Sequence, residues 1–174
     1  MTFLRYLERL ASSIPEILIE LLLITLIVGT LLFVSQKGMK NGLKSGLKLF
    51  LTDYIALLYC STIIFRKRMK VIKYDLVPFR SYGEILNGQT EYLFPQVIMN
   101  ILVFIPLGFL LKVSFPAMKL WQLLLLGIGL SVTIEVSQLI FHKGFCEIDD
   151  VIHNGIGCLI GVLLGRRLKK YVVY

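Results

Sequence analysis

The sequence predicts an all-α polytopic membrane bundle of about five transmembrane helices, preceded by a short N-terminal amphipathic helix. Of its 174 residues, 56% are hydrophobic and only 17% are charged, and the mean hydropathy is +0.78. The apolar residues are collected into runs long enough to cross a hydrocarbon core of roughly 30 Å. Basic residues lie mostly between these runs, where they contact headgroups, so the net charge of +8 does not indicate a nucleic-acid partner.

The N-terminal part of the chain predicts an interfacial helix followed by two crossings. Residues 1–13 place leucines against charged side chains at helical spacing, which favours a helix lying in the membrane interface. Residues 14–66 hold two apolar runs, 14–34 and 47–65, and each is long enough to span the bilayer. We expect the glycine- and lysine-rich residues 35–48 to form the loop between them, because glycine at such positions stops a helix.

Residues 67–174 predict a second unit, a membrane-surface loop followed by three crossings. The loop runs to residue 93 and is either a lid over the polar end of the bundle or an ordinary headgroup-binding loop. Residues 92–111 carry no charge and predict the third crossing. Trp121 marks the interface where the fourth begins, and a basic cluster starting at Arg166 follows the fifth.

Polar side chains interrupt the fourth and fifth crossings at helical spacing. Glu135 and Gln138 share one face of the fourth, and Asp150 and Asn154 share one face of the fifth. The intervening loop is so short that the two helices must form an antiparallel hairpin, which brings these faces together. An ionisable group at this depth costs several kcal/mol if it faces lipid, so we expect all four side chains to point inward.

Counting the crossings places the polar ends of three helices on one membrane face. The residues that we expect to bind a substrate there are Asn100, Glu135, Gln138, Asp149, Asp150, Asn154 and, from the loop, Arg80. Because acids that converge repel one another, a lysine, an arginine, a metal or a cationic ligand is expected beside them. A hydrogen-bonded clamp that only docks the two helices is an equally good interpretation.

The fifth crossing also carries a series of small residues. Gly157, Gly161 and Gly165 recur every four residues and continue the stripe of Asp150 and Asn154. Such a series lets another helix backbone approach closely, so we assign these glycines to helix packing. The same seam is available for self-association into a homo-oligomer.

Several motifs resemble the VanZ-like family of small bacterial membrane proteins. They are YDLVPF at residues 74–79, NILVFIPLGFLL at 100–111, SVTIEVSQLI at 131–140 and EIDDVIHNGIGCLIG at 147–161, and they span about the last hundred residues. The resemblance implies a multi-pass protein of the bacterial cell membrane that lowers susceptibility to the glycopeptide antibiotic teicoplanin. Many members have an arginine in the loop that here reads HKGFCEIDD, so Lys143 or Arg80 is the candidate replacement.

Three functions fit these observations. The first is binding of a lipid headgroup or a lipid-linked cell-wall precursor in the polar pocket. The second is an intramembrane enzyme that modifies a lipid or cell-wall component, with Glu135 and Asp150 as catalytic candidates and the Asp149/Asp150 pair binding Mg²⁺ or a substrate cation. The third is a small lipid transporter. The sequence identifies no cofactor.

The orientation of the chain is not set by its basic residues. Lysine and arginine number nine on the polar side and ten on the opposite side. A direct effect on an extracellular antibiotic, as the resemblance implies, would place the polar end outside the cell.

Overall fold

The computed structural model describes residues 39–88 and 90–172, with side chains described within residues 45–88 and 93–167. The predicted amphipathic helix and first crossing lie outside the described residues. The elements, in chain order, are α1 (Met39–Tyr59), β1 (Lys73–Asp75), α2 (Arg80–Leu86), α3 (Thr90–Ser114), α4 (Leu120–Phe141), β2 (Phe145–Glu147) and α5 (Ile148–Val172). A single π-helical turn over Cys60–Ile64 extends α1.

Four helical segments in the described part of the chain are long and apolar enough to cross a membrane. They are Ser45–Ile64, Leu93–Ser114, Leu120–Phe141 and Ile148–Arg167. These segments correspond to the second, third, fourth and fifth predicted crossings. The helical membrane bundle expected from hydropathy is therefore confirmed.

The predicted loop over residues 35–48 is wrong for residues 39–48, which are helical, and residues 35–38 lie outside the described residues. Helix α1 runs from Met39 through Gly42 and Gly46 without interruption. A glycine inside a helix costs only about 1 kcal/mol relative to alanine, and the lysines around these two are good helix formers. The cost is too small to end a helix that an apolar span continues.

Helices α3 and α5 pack with their backbones in close contact. A Cβ atom on Gly157 would overlap the carbonyl oxygen of Ile101, and one on Gly161 would overlap the carbonyl oxygen of Ile105. The glycine seam of α5 is therefore occupied by α3 of the same chain. These positions leave no room for a helix of a second copy of the chain, although the sequence alone left the seam open to self-association.

Helix α4 has one polar buried face and one apolar exposed face. Ser131, Glu135 and Gln138 are buried, with Glu135 and Gln138 each only 4% exposed. On the opposite side Val136 is 44% and Ile140 63% exposed. Since a membrane helix turns its apolar face to the lipid, the carboxylate of Glu135 lies inside the bundle.

The long surface loop folds over the polar end of the bundle. We call residues 66–88 the lid. Its strand β1 pairs in parallel with β2 of the α4–α5 connection, in the register Lys73 to Phe145, Tyr74 to Cys146 and Asp75 to Glu147. This pairing was not predicted, because each strand has only three residues and forms through a partner about seventy residues away in sequence.

The packing of α3 on α5 predicts the effect of a single added methyl group. Replacing Gly161 with alanine should lower the free energy of unfolding by about 1–3 kcal/mol, because the new Cβ meets backbone that cannot move aside. The measurement is thermal unfolding in detergent, followed by the reactivity of the buried Cys158 thiol.

Gly129 of α4 supplies the matched control. A Cβ there has open space, so Gly129→Ala should leave the stability unchanged or raise it by up to about 1 kcal/mol. Equal melting temperatures for Gly161→Ala and the wild type would contradict the close packing.

Candidate functional site

Glu135 of α4 and Glu147 of β2 are linked at the polar end of the bundle. The carboxylate Oε2 of Glu135 accepts the backbone N–H of Glu147 at 3.0 Å. The side chain of Glu147 in turn accepts a hydrogen bond from the Gln96 amide of α3, with 2.6 Å between Nε2 and Oε2. A carboxylate on α4, a strand residue and an amide on α3 therefore form one continuous chain of hydrogen bonds.

Asp150 joins this chain from the first turn of α5. The amide Nε2 of Gln96 also lies 3.3 Å from Asp150 Oδ1, so one amide serves two carboxyl groups. The carboxyl groups of Glu147 and Asp150 are near enough for their charges to interact. We call Glu135, Glu147 and Asp150 the carboxylate cluster.

Two asparagines lie deeper in the bundle than the carboxylate cluster. Asn154, one turn along α5 from Asp150, donates through Nδ2 to the hydroxyl of Ser131 at 2.8 Å. Asn100, one turn along α3 from Gln96, has a buried Nδ2 without a hydrogen-bond partner among the described residues. The polar lining thus continues one turn below the cluster and includes a donor that no side chain satisfies.

Asp149 holds the lid rather than facing the cluster. Its two carboxylate oxygens accept the backbone N–H groups of Phe79 and Ser81, the latter at 2.8 Å. Phe79 precedes α2, has a left-handed backbone with φ of 63°, and has no side chain able to cap the helix. The buried carboxylate of Asp149 supplies the missing cap from a different element.

A second contact fixes the lid to α5. Nε2 of the fully buried His153 lies 3.0 Å from the hydroxyl of Tyr82 on α2, and the two rings meet edge to face. Further contacts join the chain around residue 66 to the α4–α5 connection. Met69 donates its N–H to the carbonyl of His142 at 2.7 Å, and Lys143 Nζ donates to the carbonyl of Ile64 at 2.8 Å.

The cation beside the acids is Arg66, which the sequence did not single out. A Cβ on Gly144 would lie 2.5 Å from Gln138 Oε1 and 3.0 Å from Arg66 Nη1, so both groups sit against this glycine. Arg66 is also near enough to Glu135 and Asp150 for their charges to interact.

The two cations proposed from the sequence lie elsewhere. Arg80 is exposed on the lid and forms ion pairs with Asp75 at 2.9 Å and with Glu84 at 2.8 Å. Lys143 is bound to a backbone carbonyl. Neither is the partner of the carboxylate cluster.

Asp149 and Asp150, expected as a joint site for Mg²⁺ or a substrate cation, point to different partners. The first binds the lid backbone and the second binds Gln96. Within the described residues, no group of three or more His, Cys, Asp and Glu side chains has an arrangement that could hold a metal ion.

A cleft of about 100 Å³ opens between the lid and the bundle. Glu147 and Asp149 line its inner wall, and Arg80, Ser81 and Glu84 of α2 line its outer wall. The expected site residues Arg80 and Asp149 therefore border the approach to the cluster. Glu135, Gln138 and Asn154 are buried within the helices.

Sequence reasoning missed three members of the site. Glu147 was read as part of a loop, although its spacing of three from Asp150 was a signal. Gln96 is four residues before Asn100, so the two share a helix face. Arg66 gave no such signal, because Arg66 and Gly144 are far apart in sequence and come together only in the folded chain.

Comparisons with known proteins agree with the resemblance that the sequence motifs indicated. A sequence model of the family described as VanZ/LLP1 matches residues 19–169. The chain is also similar to Protein VanZ of Enterococcus faecium, with 32% identity over 119 residues, which are 66% of this chain and 73% of that protein. No solved structure matches the chain. The family match begins at residue 19, so it also covers most of the first crossing, which the motifs alone had left outside.

Removing the cap that Asp149 provides should release the lid. In Asp149→Asn an amide NH₂ replaces one oxygen and faces a backbone N–H, so a buried donor loses its acceptor at a cost of about 1–3 kcal/mol. Tryptic cleavage after the lid residues Arg66, Lys67 and Arg68 should accelerate about tenfold in detergent.

Glu84→Gln is the matched control for this test. It removes an exposed ion pair with Arg80, and such pairs contribute about 0–1 kcal/mol. Its cleavage rate should stay close to that of the wild type. An unchanged rate in Asp149→Asn would show that the cap does not hold the lid.

Glu147 should make stability depend on pH. Burial raises the pKa of Glu147 to about 7 from 4.5, and the charge of Asp150 acts in the same direction. The carboxyl group of Glu147 therefore keeps its proton to higher pH in the folded state than in the unfolded state. Its contribution to the free energy of unfolding is fully present below pH 4.5 and is lost as the pH rises through about 7.

The melting temperature in detergent should therefore fall between about pH 5 and about pH 8. Glu147→Gln should reduce this slope, whereas Asp53→Asn, which removes a carboxylate from α1, should retain it. A slope that persists unchanged in Glu147→Gln would assign the pH dependence to other groups.

Proposed function

The chain belongs to the VanZ/LLP1 family of multi-pass membrane proteins, and we propose that its polar end binds the headgroup of a membrane lipid or of a lipid-linked cell-wall precursor. The observation that carries this proposal is the carboxylate cluster. It lies at the membrane-surface end of three helices, beneath a lid, and near two amide atoms, Asn100 Nδ2 and Gln138 Oε1, that have no hydrogen-bond partner within the described residues.

The unpartnered groups favour binding over a purely structural clamp. A buried polar atom without a hydrogen bond costs about 1–3 kcal/mol, so a clamp optimised for stability would pair it. Asn100 Nδ2 and Gln138 Oε1 are one donor and one acceptor left open at the same end of the bundle. A polar ligand entering from the membrane surface would supply the missing partners.

The contacts of the acids favour binding over catalysis. A general base needs a free carboxylate oxygen directed at its substrate. Glu135, one of the two catalytic candidates, accepts a backbone N–H through Oε2, and the other, Asp150, shares the Gln96 amide through Oδ1. Both carboxylates thus already join neighbouring elements around the cleft, which favours a binding role over catalysis.

The family resemblance extends the proposal to antibiotics. Binding a lipid-linked precursor or the lipids around it would change how a teicoplanin-type glycopeptide reaches its target at the outer surface. The polar end would then face outward, with the basic cluster that follows α5 in the cytoplasm. In this arrangement the lid and the antibiotic approach the same side of the membrane.

Expression of the chain in a glycopeptide-susceptible bacterium tests this proposal. The wild type should raise the inhibitory concentration of teicoplanin and reduce binding of fluorescent teicoplanin to the cells. Gln96→Ala should abolish both effects, because it leaves Glu147 and Asp150 without their shared donor.

Thr52→Ala controls for the loss of a polar side chain from a membrane helix, since the exposed Thr52 hydroxyl bonds only to the carbonyl of Lys48, and it should behave as the wild type does. All variants are compared at equal amounts in the membrane fraction. Equal teicoplanin binding by cells with and without the wild-type protein would overturn the link to antibiotics. Full activity of Gln96→Ala would remove the cluster as its site.

A further inference from the structure

Within the carboxylate cluster, carboxyl groups outnumber the basic groups that interact with them. The carboxylate cluster contributes three, and the only described guanidinium that interacts with it is Arg66, whose side chain is exposed at the rim. On the lid, Arg80 is shared between Asp75 and Glu84, so it neutralises only one of those two charges. The site therefore has an excess of negative charge when its acids are ionised.

Gln138 adds an independent indication of a ligand. Its side chain is 96% buried, being 4% exposed, and its Oε1 atom has no hydrogen-bond donor among the described residues. Its Oε1 atom faces Gly144, where an added Cβ would lie 2.5 Å from it and 3.0 Å from Arg66 Nη1. One helical turn along the same face is Glu135 of the cluster. A buried acceptor without a donor thus lies one helical turn from a member of the carboxylate cluster.

We infer that the headgroup bound at this end carries a primary ammonium group, held by the carboxylate cluster and the open acceptor of Gln138. This inference rests on the proposed function, and it names the class of headgroup. An ammonium group has three N–H donors and a positive charge, so it satisfies carboxylates and an amide oxygen together. A trimethylated amine keeps the charge but offers no donor, and an anionic headgroup without an amine brings no positive charge to the carboxylates.

Arg66 completes the match to an amine-bearing lipid. Its guanidinium lies at the rim of the site, against Gly144, with part of the side chain exposed. Guanidinium groups bind phosphate oxygens in a bidentate manner. A headgroup of this kind would place its ammonium group beside the carboxylate cluster and its phosphate beside the guanidinium of Arg66. Each charge of the headgroup would then face a protein group of opposite charge.

Lipid retention from a defined bilayer tests the inference. The full chain is reconstituted in nanodiscs of equimolar dioleoyl-phosphatidylethanolamine, its mono-, di- and trimethylated forms, and dioleoyl-phosphatidylglycerol. It is then released in mild detergent, and the retained lipids are counted by native mass spectrometry. Retention should fall at each methylation, and phosphatidylethanolamine should exceed the trimethylated form about tenfold, the factor that 1.4 kcal/mol provides.

A second bilayer identifies the source of the amine. It contains phosphatidylethanolamine together with a dioleoyl anchor that carries a single Nα-acetyl-lysine and the trimethyl-lysine counterpart of that anchor. Stronger retention of this lysine lipid than of phosphatidylethanolamine would indicate a lipid-linked peptide as the natural ligand. The reverse order would indicate a phospholipid, and either result supports the ammonium group.

Two variants assign the preference to the site. Glu135→Gln and Glu147→Gln should each reduce the preference for the unmethylated lipid, and Asp53→Asn should preserve it. The methylation series in the wild-type protein remains decisive if either site variant fails to fold.

The results separate failure of this inference from failure of the proposed function. Equal retention of all headgroups by the wild type, reduced together by the site variants, would overturn the ammonium group and leave headgroup binding in place. Preferential retention of phosphatidylglycerol would do the same. No retained lipid in the wild type, or identical retention in all variants, would overturn both.

Discussion

The close approach of α5 to α3 determines where the polar groups of this bundle lie. At Gly157 and Gly161 the two backbones come so near that a methyl group would collide with the carbonyls of Ile101 and Ile105. Helices in lipid have no hydrophobic force drawing them together, so tight packing and hydrogen bonds must supply the attraction. The glycines bring the helices into contact, and the same contact puts Gln96 of α3 beside Asp150 of α5.

Several elements supply hydrogen-bond donors to the three carboxyl groups at the end of the bundle. Glu135 uses a backbone N–H of β2, and Glu147 and Asp150 share the amide of Gln96. A carboxylate deprived of such partners would be strongly destabilising at this depth. Because the pKa of Glu147 is raised to about 7, a proton on this group relieves part of the repulsion near neutral pH.

Helical spacing predicted the buried stripe of α4, but it could not predict that adjacent residues of α5 bind different partners. Asp149 and Asp150 are adjacent in sequence and were read as a pair. Consecutive residues on a helix do not face each other, so one carboxylate caps α2 and the other joins the cluster. Hydropathy likewise located the described crossings, yet the helical conformation of residues 39–48 depends on glycines that a long apolar helix tolerates.

Two of the three members that sequence reasoning missed, Glu147 and Arg66, depend on the lid. Glu147 has a defined position because β2 pairs with β1, and Arg66 reaches Gly144 because the chain around it is bound to the α4–α5 connection. Such contacts join segments about seventy residues apart and leave no periodic pattern along the chain. Spacing within one helix therefore identifies the residues that a helix contributes, whereas the residues that a folded loop contributes require coordinates.

The lid and the carboxylate cluster are joined through strand β2. Strand β2 carries Glu147, whose backbone binds Glu135, and the same strand pairs with β1 of the lid. Asp149 and His153 of α5 hold α2 on the other side of the cleft. A group that enters the cleft and draws Glu147 away from Gln96 must therefore act on the strand that holds the lid closed. The hydrogen bonds that form the cluster and those that hold the lid thus meet in the same strand, and the lid leaves the apolar side chains Leu76, Val77 and Leu86 exposed.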